Sequence, residues 1–168
     1  MYTKILVPLD GSESSMSGLN EAIKIAEEHA GALRLLHIVE LPSPLLDYGY
    51  SQGDRRNDVL ASLCQVGKNI LNKGESIVRQ HRLAADCLMF ESGSESAADV
   101  ILEQARQWGA SLIVMGAHTP SARGRIGRVS ADVIAESAIP VLMVRGVPTV
   151  VTTVRHRELN YDFAPVAS

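Results

Sequence analysis

The chain has 168 residues, of which 46% are hydrophobic and 21% are charged, with a formal net charge of −3. This length supports one globular domain with its own core, and the composition excludes an intrinsically disordered chain. The acidic balance argues against a general nucleic-acid-binding protein, which needs a basic face to neutralise phosphates. Because aromatic residues make up only 4%, we expect an aliphatic core of the kind that surrounds buried parallel strands.

The cysteines and the N-terminal segment indicate the cellular compartment in which the protein is expected. Cys64 and Cys87 form no CxxC motif and have no nearby histidine, which argues against a zinc site or a disulfide framework. The segment 1–8 carries one lysine and a short apolar run, and it does not resemble a signal peptide. No apolar stretch approaches the ~20 residues of a transmembrane helix. We therefore expect a cytoplasmic protein that does not enter a membrane.

The first half of the chain alternates between aliphatic runs and helical patterns. The aliphatic runs are typical of buried strands, and apolar residues at helical spacing predict amphipathic helices. Ser12 or Ser14 can cap the first helix, and Gly31 can end it. The predicted elements are a strand over 4–8, a helix with apolar positions 19–26, a strand over 33–39, a long loop over 40–58 and a helix over 59–82.

The second half continues the alternation. Ser96 and Asp99 have the spacing of a capping box at the start of the third helix, and a polar, basic loop over 117–127 follows the fourth strand. Residues 147–151 are compatible with an extra edge strand, and the final residues are typical of a loose tail. The remaining predicted elements are a strand over 87–91, a helix with apolar positions 97–105, a strand over 112–115, a helix over 130–137 and a strand over 141–144.

The order β-α-β-α-β-α-β-α-β predicts an α/β fold. We expect a doubly wound, Rossmann-like, five-stranded parallel sheet with helices on both faces. We divide the chain into a domain over 1–146 and a C-terminal extension over 147–168. In such sheets the ligand site lies beyond the carboxyl ends of the strands, where the strand order reverses. His37, inside an aliphatic strand, is interpreted as a core histidine, and Trp108 as a packing anchor.

Four segments of the chain resemble the universal stress protein family, in that family's element order. Each segment is weak evidence alone, but their common order makes the resemblance specific. It covers Tyr2–Arg145 and implies the adenine nucleotide alpha hydrolase-like fold of that family. The segments are Ile5–Glu13, Leu35–Val39, Ala110–Gly116 and Ile139–Arg145.

The resemblance implies a nucleotide pocket, but the phosphate motif is altered. ATP-binding members carry Gly-x2-Gly-x9-Gly-Ser/Thr after the fourth strand, where glycines admit phosphate to the backbone and a helix N-terminus holds the anion. Here Gly116 is present, Thr119 occupies the second glycine position, and Gly127 fits the third only in a loop two residues shorter. Arg128 then stands at the hydroxyl position, with Ser130 two residues later. The shorter loop resembles the subclass that does not retain ATP.

By the same resemblance, Asp10 contacts the ribose and Ile38 contacts the adenine, although Asp10 before a glycine is equally typical of a turn. Arg123 and Arg125 offer another way to bind phosphate through bidentate guanidinium groups, but solvated surface arginines are the slightly favoured interpretation. The candidate ligand is ATP or another adenine nucleotide. The candidate nucleotide-binding residues are Pro8, Asp10, Ile38, Met115, Gly116, His118, Gly127, Arg128 and Ser130, with Arg123 and Arg125 as alternative phosphate ligands.

Two functions stay open at this point, ahead of a weaker third, an unrelated enzyme on the same α/β scaffold. The favoured one is a homodimeric stress-response module that acts through an unidentified protein partner without catalytic turnover. Family members resembling this chain dimerise through the fifth strand, here the apolar edge Val141–Val144; alternatively, residues 147–151 cover that edge. The second function is an ATP- or AMP-binding sensor with slow hydrolysis or autophosphorylation. The sequence contains no Walker loop, no Gly-x-Ser-x-Gly elbow and no metal-ligand cluster, so we assign no catalytic residue and no metal.

Overall fold

Five parallel strands form one sheet in the computed structural model, which describes residues 1–40, 53–117 and 127–145. The order across the sheet is β3-β2-β1-β4-β5, and each neighbouring pair is parallel. The predicted α/β architecture is confirmed. The chain runs outward from β1 to β3 and then returns to β4, so the strand order reverses between β1 and β4. The strands are β1 (Lys4–Pro8), β2 (Ala32–Glu40), β3 (Ala85–Ser92), β4 (Leu112–Ala117) and β5 (Val141–Arg145).

Helices cover both faces of the sheet, because successive strand residues point to opposite faces. Ile5 and Val7 belong to a core that α1 and α2 cover, whereas Leu6 belongs to a second core under α3 and α4. All three side chains are fully buried. The aliphatic composition of both cores agrees with the low aromatic content. The helices are α1 (Glu13–His29), α2 (Gly53–Gln80), α3 (Ala97–Trp108) and α4 (Arg128–Glu136).

The helix ends show which capping signals the chain uses. Ser12, not Ser14, caps α1, since its hydroxyl accepts a hydrogen bond from the Ser15 N–H at 3.1 Å. The predicted capping box of Ser96 and Asp99 is confirmed, with both reciprocal bonds formed. The predicted stop at Gly31 is wrong by one residue. Ala30 adopts the left-handed conformation that ends α1, at φ 49°.

Several elements are longer than their apolar patterns. Helix α2 begins at Gly53, within the segment predicted to be a loop over 40–58, because its first residues are charged or polar and carry no apolar periodicity. Strand β3 extends to both sides of the predicted 87–91 run, because its backbone pairs with β2 from Leu33↔Ala85 to Glu40↔Ser92. Helix α4 begins at Arg128, two residues before the predicted start.

Trp108 anchors the amino edge of the sheet. The Arg34 guanidinium lies 4.6 Å and the Lys4 ammonium 5.5 Å from the centre of its ring, within cation–π range. Arg34 also donates to Asp86 on β3 at 2.8 Å. The interpretation of Trp108 as a packing anchor is confirmed.

The cysteines are free thiols, and Cys64 is half-buried while Cys87 is exposed. Within the described ranges, no cluster of histidine, cysteine and acidic side chains is arranged to hold a metal ion. No helix in those same ranges is long and apolar enough to span a bilayer.

Candidate functional site

A cavity of about 360 Å³ opens at the carboxyl edge of the sheet, where the strand order reverses. The ends of β1, β2 and β4 form one part of its wall, and the first turns of α1, α3 and α4 form the rest. This is the position that the doubly wound topology predicts for a ligand site.

The cavity collects the predicted site residues that lie within the described ranges. His118, Arg123 and Arg125 lie outside these ranges, so their predicted roles stay predictions. Sequence reasoning missed Leu36 and Glu40 on β2 and Ile101 on α3, although strand alternation places Leu36 on the same face as Ile38. The predicted residues that line the cavity are Pro8, Asp10, Ile38, Met115, Gly116, Gly127, Arg128 and Ser130.

The turn after β1 fixes the Asp10 carboxylate. Its Oδ1 accepts from the Ser12 N–H at 2.9 Å and from the Ser12 hydroxyl at 2.6 Å. Gly11 between them has φ +85°, a conformation that side-chain-bearing residues rarely adopt. The turn role of Asp10 is therefore observed directly, and its predicted contact with a ribose stays a prediction. The same turn brings the Ser12 and Ser14 hydroxyls within 3.0 Å of each other at the cavity wall.

Gly116 lines the cavity, but its glycine identity has a different structural cause from the one the motif suggests. A Cβ at position 116 would lie 2.2 Å from the Ser14 carbonyl carbon and oxygen. From the other side, a Cβ at Gly18 would lie 3.1 Å from the Gly116 nitrogen. The two glycines let α1 pack directly on the end of β4. Sequence reasoning missed this pairing because Gly18 lies inside an ordinary helical pattern.

The N-terminus of α4 faces the cavity with few partners of its own. Its N-cap is Gly127, which provides no side-chain hydrogen bond to the helix, unlike the serine caps of α1 and α3. Ser130 is only 6% exposed and lines the cavity, and its hydroxyl makes no hydrogen bond within the described parts of the chain. Unpaired backbone N–H groups and the helix dipole both favour an anion at such an end.

Apolar side chains form the deeper wall. Leu36, Ile101 and Met115 are buried and Ile38 is half-buried where they line the cavity. Glu40 and Asp10 add carboxylates beside this wall. A largely apolar surface with a few oriented polar groups is the usual composition of a small-molecule site.

His37 is not part of this cavity. Its Nδ1–H donates to the Leu9 carbonyl at 2.7 Å, and the ring is buried beneath α2. Its interpretation as a core histidine is confirmed.

The family follows from comparison with known proteins. The model of the universal stress protein family matches residues 1–145. The universal stress protein YxiE of Bacillus subtilis is 30% identical over 151 residues, which are 86% of this chain and all of that protein. The chain belongs to the universal stress protein family.

Solved universal stress proteins share this fold. UspA of Lactobacillus plantarum superposes with a TM-score of 0.74 at 22% identity, over 86% of this chain and 98% of that one. An Arabidopsis thaliana member solved with AMP bound has a TM-score of 0.65 at 18% identity, over 87% of this chain and 93% of that one. Other members were solved with cAMP and, from Archaeoglobus fulgidus, with dAMP, at TM-scores of 0.62 and 0.58.

Proposed function

We propose that this chain is a cytoplasmic, homodimeric regulatory module whose cavity binds an adenine nucleoside monophosphate weakly. The observation that carries the proposal is that one cavity is lined by an apolar wall, by a helix N-terminus without a side-chain cap and by a fixed carboxylate. These groups match, in kind, the base, the phosphate and the sugar of a nucleotide.

The apolar wall receives the purine. Ile38, the residue after the buried His37 on β2, is half-buried where it lines the cavity, so a flat ring placed against it removes its remaining apolar surface from water. Leu36 and Met115, which are almost fully buried, complete the apolar lining. The Asp10 carboxylate, oriented by Ser12, accepts a hydrogen bond from a sugar hydroxyl.

The N-terminus of α4 receives the phosphate. The first N–H groups of α4 and the Ser130 hydroxyl are donors in a site of partial positive charge. Ser130 lines the cavity, so its hydroxyl can donate to an anion bound at the start of α4. Gly127 leaves the approach to these donors open.

Weak binding follows from the state of Arg128. Its side chain is 95% exposed and its Nε lies 3.8 Å from the Asp132 carboxylate. To bind a phosphate, this guanidinium must lose the conformational entropy of an exposed side chain and give up its interaction with Asp132, and both losses cost free energy. The second glycine position of the ATP motif is threonine in this chain, and its side chain hinders the close backbone approach that glycine allows to further phosphates. The family members solved with AMP, dAMP and cAMP support a monophosphate.

Isothermal titration of the purified chain with AMP, ATP and adenosine tests the proposal. We expect AMP to bind with a Kd on the order of 100 µM, which corresponds to about −5.5 kcal/mol. Adenosine should bind more weakly because it lacks the phosphate, and ATP should bind no better than AMP. No heat with any of the three at millimolar concentration, or ATP binding tenfold more tightly than AMP, contradicts the proposal.

A pair of serine variants makes the test specific to the site. Ser130→Ala should weaken AMP binding by roughly tenfold, the value of one hydrogen bond to a charged group, and leave adenosine binding unchanged. Ser62→Ala is the matched control, because Ser62 is an exposed serine on α2 whose hydroxyl donates to the Asp58 carbonyl. It should leave both titrations unchanged.

The dimer forms through β5 in this proposal. Within the described residues β5 pairs only with β4, so its other edge carries unpaired backbone groups. Its apolar side chains are half-buried. On the neighbouring α4, Ile134 is 42% exposed. An open, apolar edge strand favours pairing with another chain, and a second copy supplies an identical edge.

A further inference from the structure

Glu40, the last residue of β2, lines the candidate cavity and has no part in the binding of base, sugar and phosphate described so far. It is exposed, and within the described ranges its carboxylate forms neither a hydrogen bond nor an ion pair. The Asp10 carboxylate, by contrast, is held by Ser12. Glu40 therefore offers a second, differently placed acceptor at the wall of the same cavity.

Strand alternation places the Glu40 side chain on the same face as the apolar wall. Leu36, Ile38 and Glu40 follow one another at intervals of two residues along β2, so their side chains leave the sheet on one side. Leu36 and Ile38 belong to the core under α3 and α4, which identifies that side. Glu40 lies about 7 Å beyond Ile38 along the strand, at about 3.3 Å for each residue.

Glu40 also lies at the end of the cavity away from the phosphate donors. The connection from β4 to its parallel neighbour β5 is expected to be right-handed and places α4, with Ser130, over these two strands. Strand β1 separates β4 from β2, which makes the distance between β4 and β2 about 10 Å. A nucleotide with its phosphate at α4 and its base against Ile38 spans this distance, so Glu40 lies at the base end.

An adenine base in this orientation presents its 6-amino group toward Glu40. The amino group belongs to the six-membered ring, on the far side of the purine from the nitrogen that carries the sugar. With the sugar at Asp10, after β1, the six-membered ring extends over β2. An ionised carboxylate only accepts hydrogen bonds, and the amino group donates them, so the two are complementary. An oxygen at the same position of the base would instead face the negative charge.

We propose that Glu40 determines the base selectivity of this site by accepting a hydrogen bond from the 6-amino group of adenine and by disfavouring 6-oxo purines. The inference rests on the proposed function, because it requires a purine nucleotide in this cavity. It adds a residue that selects among purines. Since Glu40 is exposed and is hydrated before the ligand binds, its selectivity lies at the low end for a hydrogen bond to a charged group.

Titration with three nucleoside monophosphates that differ only at position 6 of the purine tests the proposal. AMP carries an amino group there, IMP carries an oxygen, and purine riboside monophosphate carries neither. Because the sugar and the phosphate are identical, the differences in affinity report on the base alone. We expect purine riboside monophosphate to bind roughly fivefold more weakly than AMP, and IMP roughly tenfold more weakly than AMP.

Glu40→Gln makes the test specific to this side chain. The amide has the size of the carboxylate but also donates hydrogen bonds, which a 6-oxo group accepts. The ratio of IMP affinity to AMP affinity should therefore rise by roughly tenfold, which removes the preference for AMP. Glu28→Gln is the matched control, because Glu28 is an exposed residue near the C-terminal end of α1 that does not line the cavity. It removes the same charge and should leave the ratio unchanged.

The outcomes separate this inference from the function on which it rests. Equal binding of AMP and IMP to the natural chain overturns the inference and leaves the proposed function in place. A preference for AMP that persists in Glu40→Gln, with all three affinities changed alike, also overturns it, because Glu40 then acts only through the charge of the cavity. No binding of AMP at millimolar concentration overturns the proposed function and the inference together. Thermal unfolding of each variant confirms that the domain is folded.

Discussion

Gly116 at the end of β4 lies directly against Ser14 in the first turn of α1, backbone against backbone. A Cβ at position 116 would come within 2.2 Å of the Ser14 carbonyl carbon and 2.5 Å of the Ser15 nitrogen. Backbone atoms inside a capped helix turn cannot rotate away as a side-chain end can. This contact sets the distance between two walls of the candidate site, because Gly116 and Ser14 both line its cavity.

Gly116→Ala should therefore destabilise the protein by about 3 kcal/mol, at the upper end of the usual overpacking cost. Urea unfolding followed by circular dichroism measures the change in the free energy of unfolding. The matched control is Gly93→Ala, since a Cβ at Gly93 meets nothing within 4 Å and such surface changes stay within about 0.5 kcal/mol. Equal stability of the two variants would show that α1 shifts without cost.

The sequence predicts the sheet and its helices because each element carries its own periodic pattern. It predicts much of the site as well, since the ends of parallel strands must share one edge. It cannot show why Gly116 and Gly18 are glycines, because that reason is a contact between β4 and α1 that no local pattern records. It also misses the early start of α2, whose first turn is polar. It misses the contribution of Ile101 to the cavity lining, because the sequence shows Ile101 only as one of several apolar positions on a helix.

Gly67→Ala should destabilise the chain although alanine is the better helix former. Alanine gains about 1 kcal/mol in a helix interior. Here the new Cβ would lie 2.5 Å from His37 Cδ2 and 3.0 Å from Met89 Sδ, and the hydrogen bond to Leu9 holds the His37 ring in place. We expect a net loss of about 2 kcal/mol in urea unfolding, within the range for overpacked cores.

A double-mutant cycle tests the stated cause of that loss. Combining Gly67→Ala with His37→Ala removes the ring that the new Cβ meets. The two changes should then couple favourably by about 1 kcal/mol or more, as residues in contact do. Simple additivity of the two free-energy changes would assign the loss to another contact, with Met89 the next to examine.

Met143→Pro should dissociate the proposed dimer and keep the sheet intact. The Pro140 carbonyl accepts from the Ile113 N–H on β4, so alternation directs the backbone groups of Leu142 to β4 and those of Met143 to the open edge. Proline at 143 removes only an outward N–H, the position where sheets tolerate it. Analytical ultracentrifugation should show monomers for Met143→Pro and dimers for Met143→Ala, which keeps the N–H. Dimers in both variants, or monomers of the unaltered chain, would contradict pairing through β5.

The Cys64 thiol should react slowly near neutral pH. Desolvation raises its pKa above the ordinary value, and the hydrogen bond to the Glu91 carboxylate, at 3.6 Å from Sγ, raises it further. Because the thiolate is the reactive form, a raised pKa lowers the thiolate fraction at any given pH and moves the labelling profile to higher pH.

The experiment measures the rate at which an aromatic disulfide labels Cys64 in a Cys87→Ser chain. The pH is varied between pH 6 and pH 10 in steps of about one unit, around the ordinary thiol range. Glu91→Gln should move the profile part of the way back, since desolvation, the larger cause, is retained. The urea-unfolded chain serves as the reference, and a folded chain that reacts as fast as this reference at pH 7 would show that neither cause acts on the thiol.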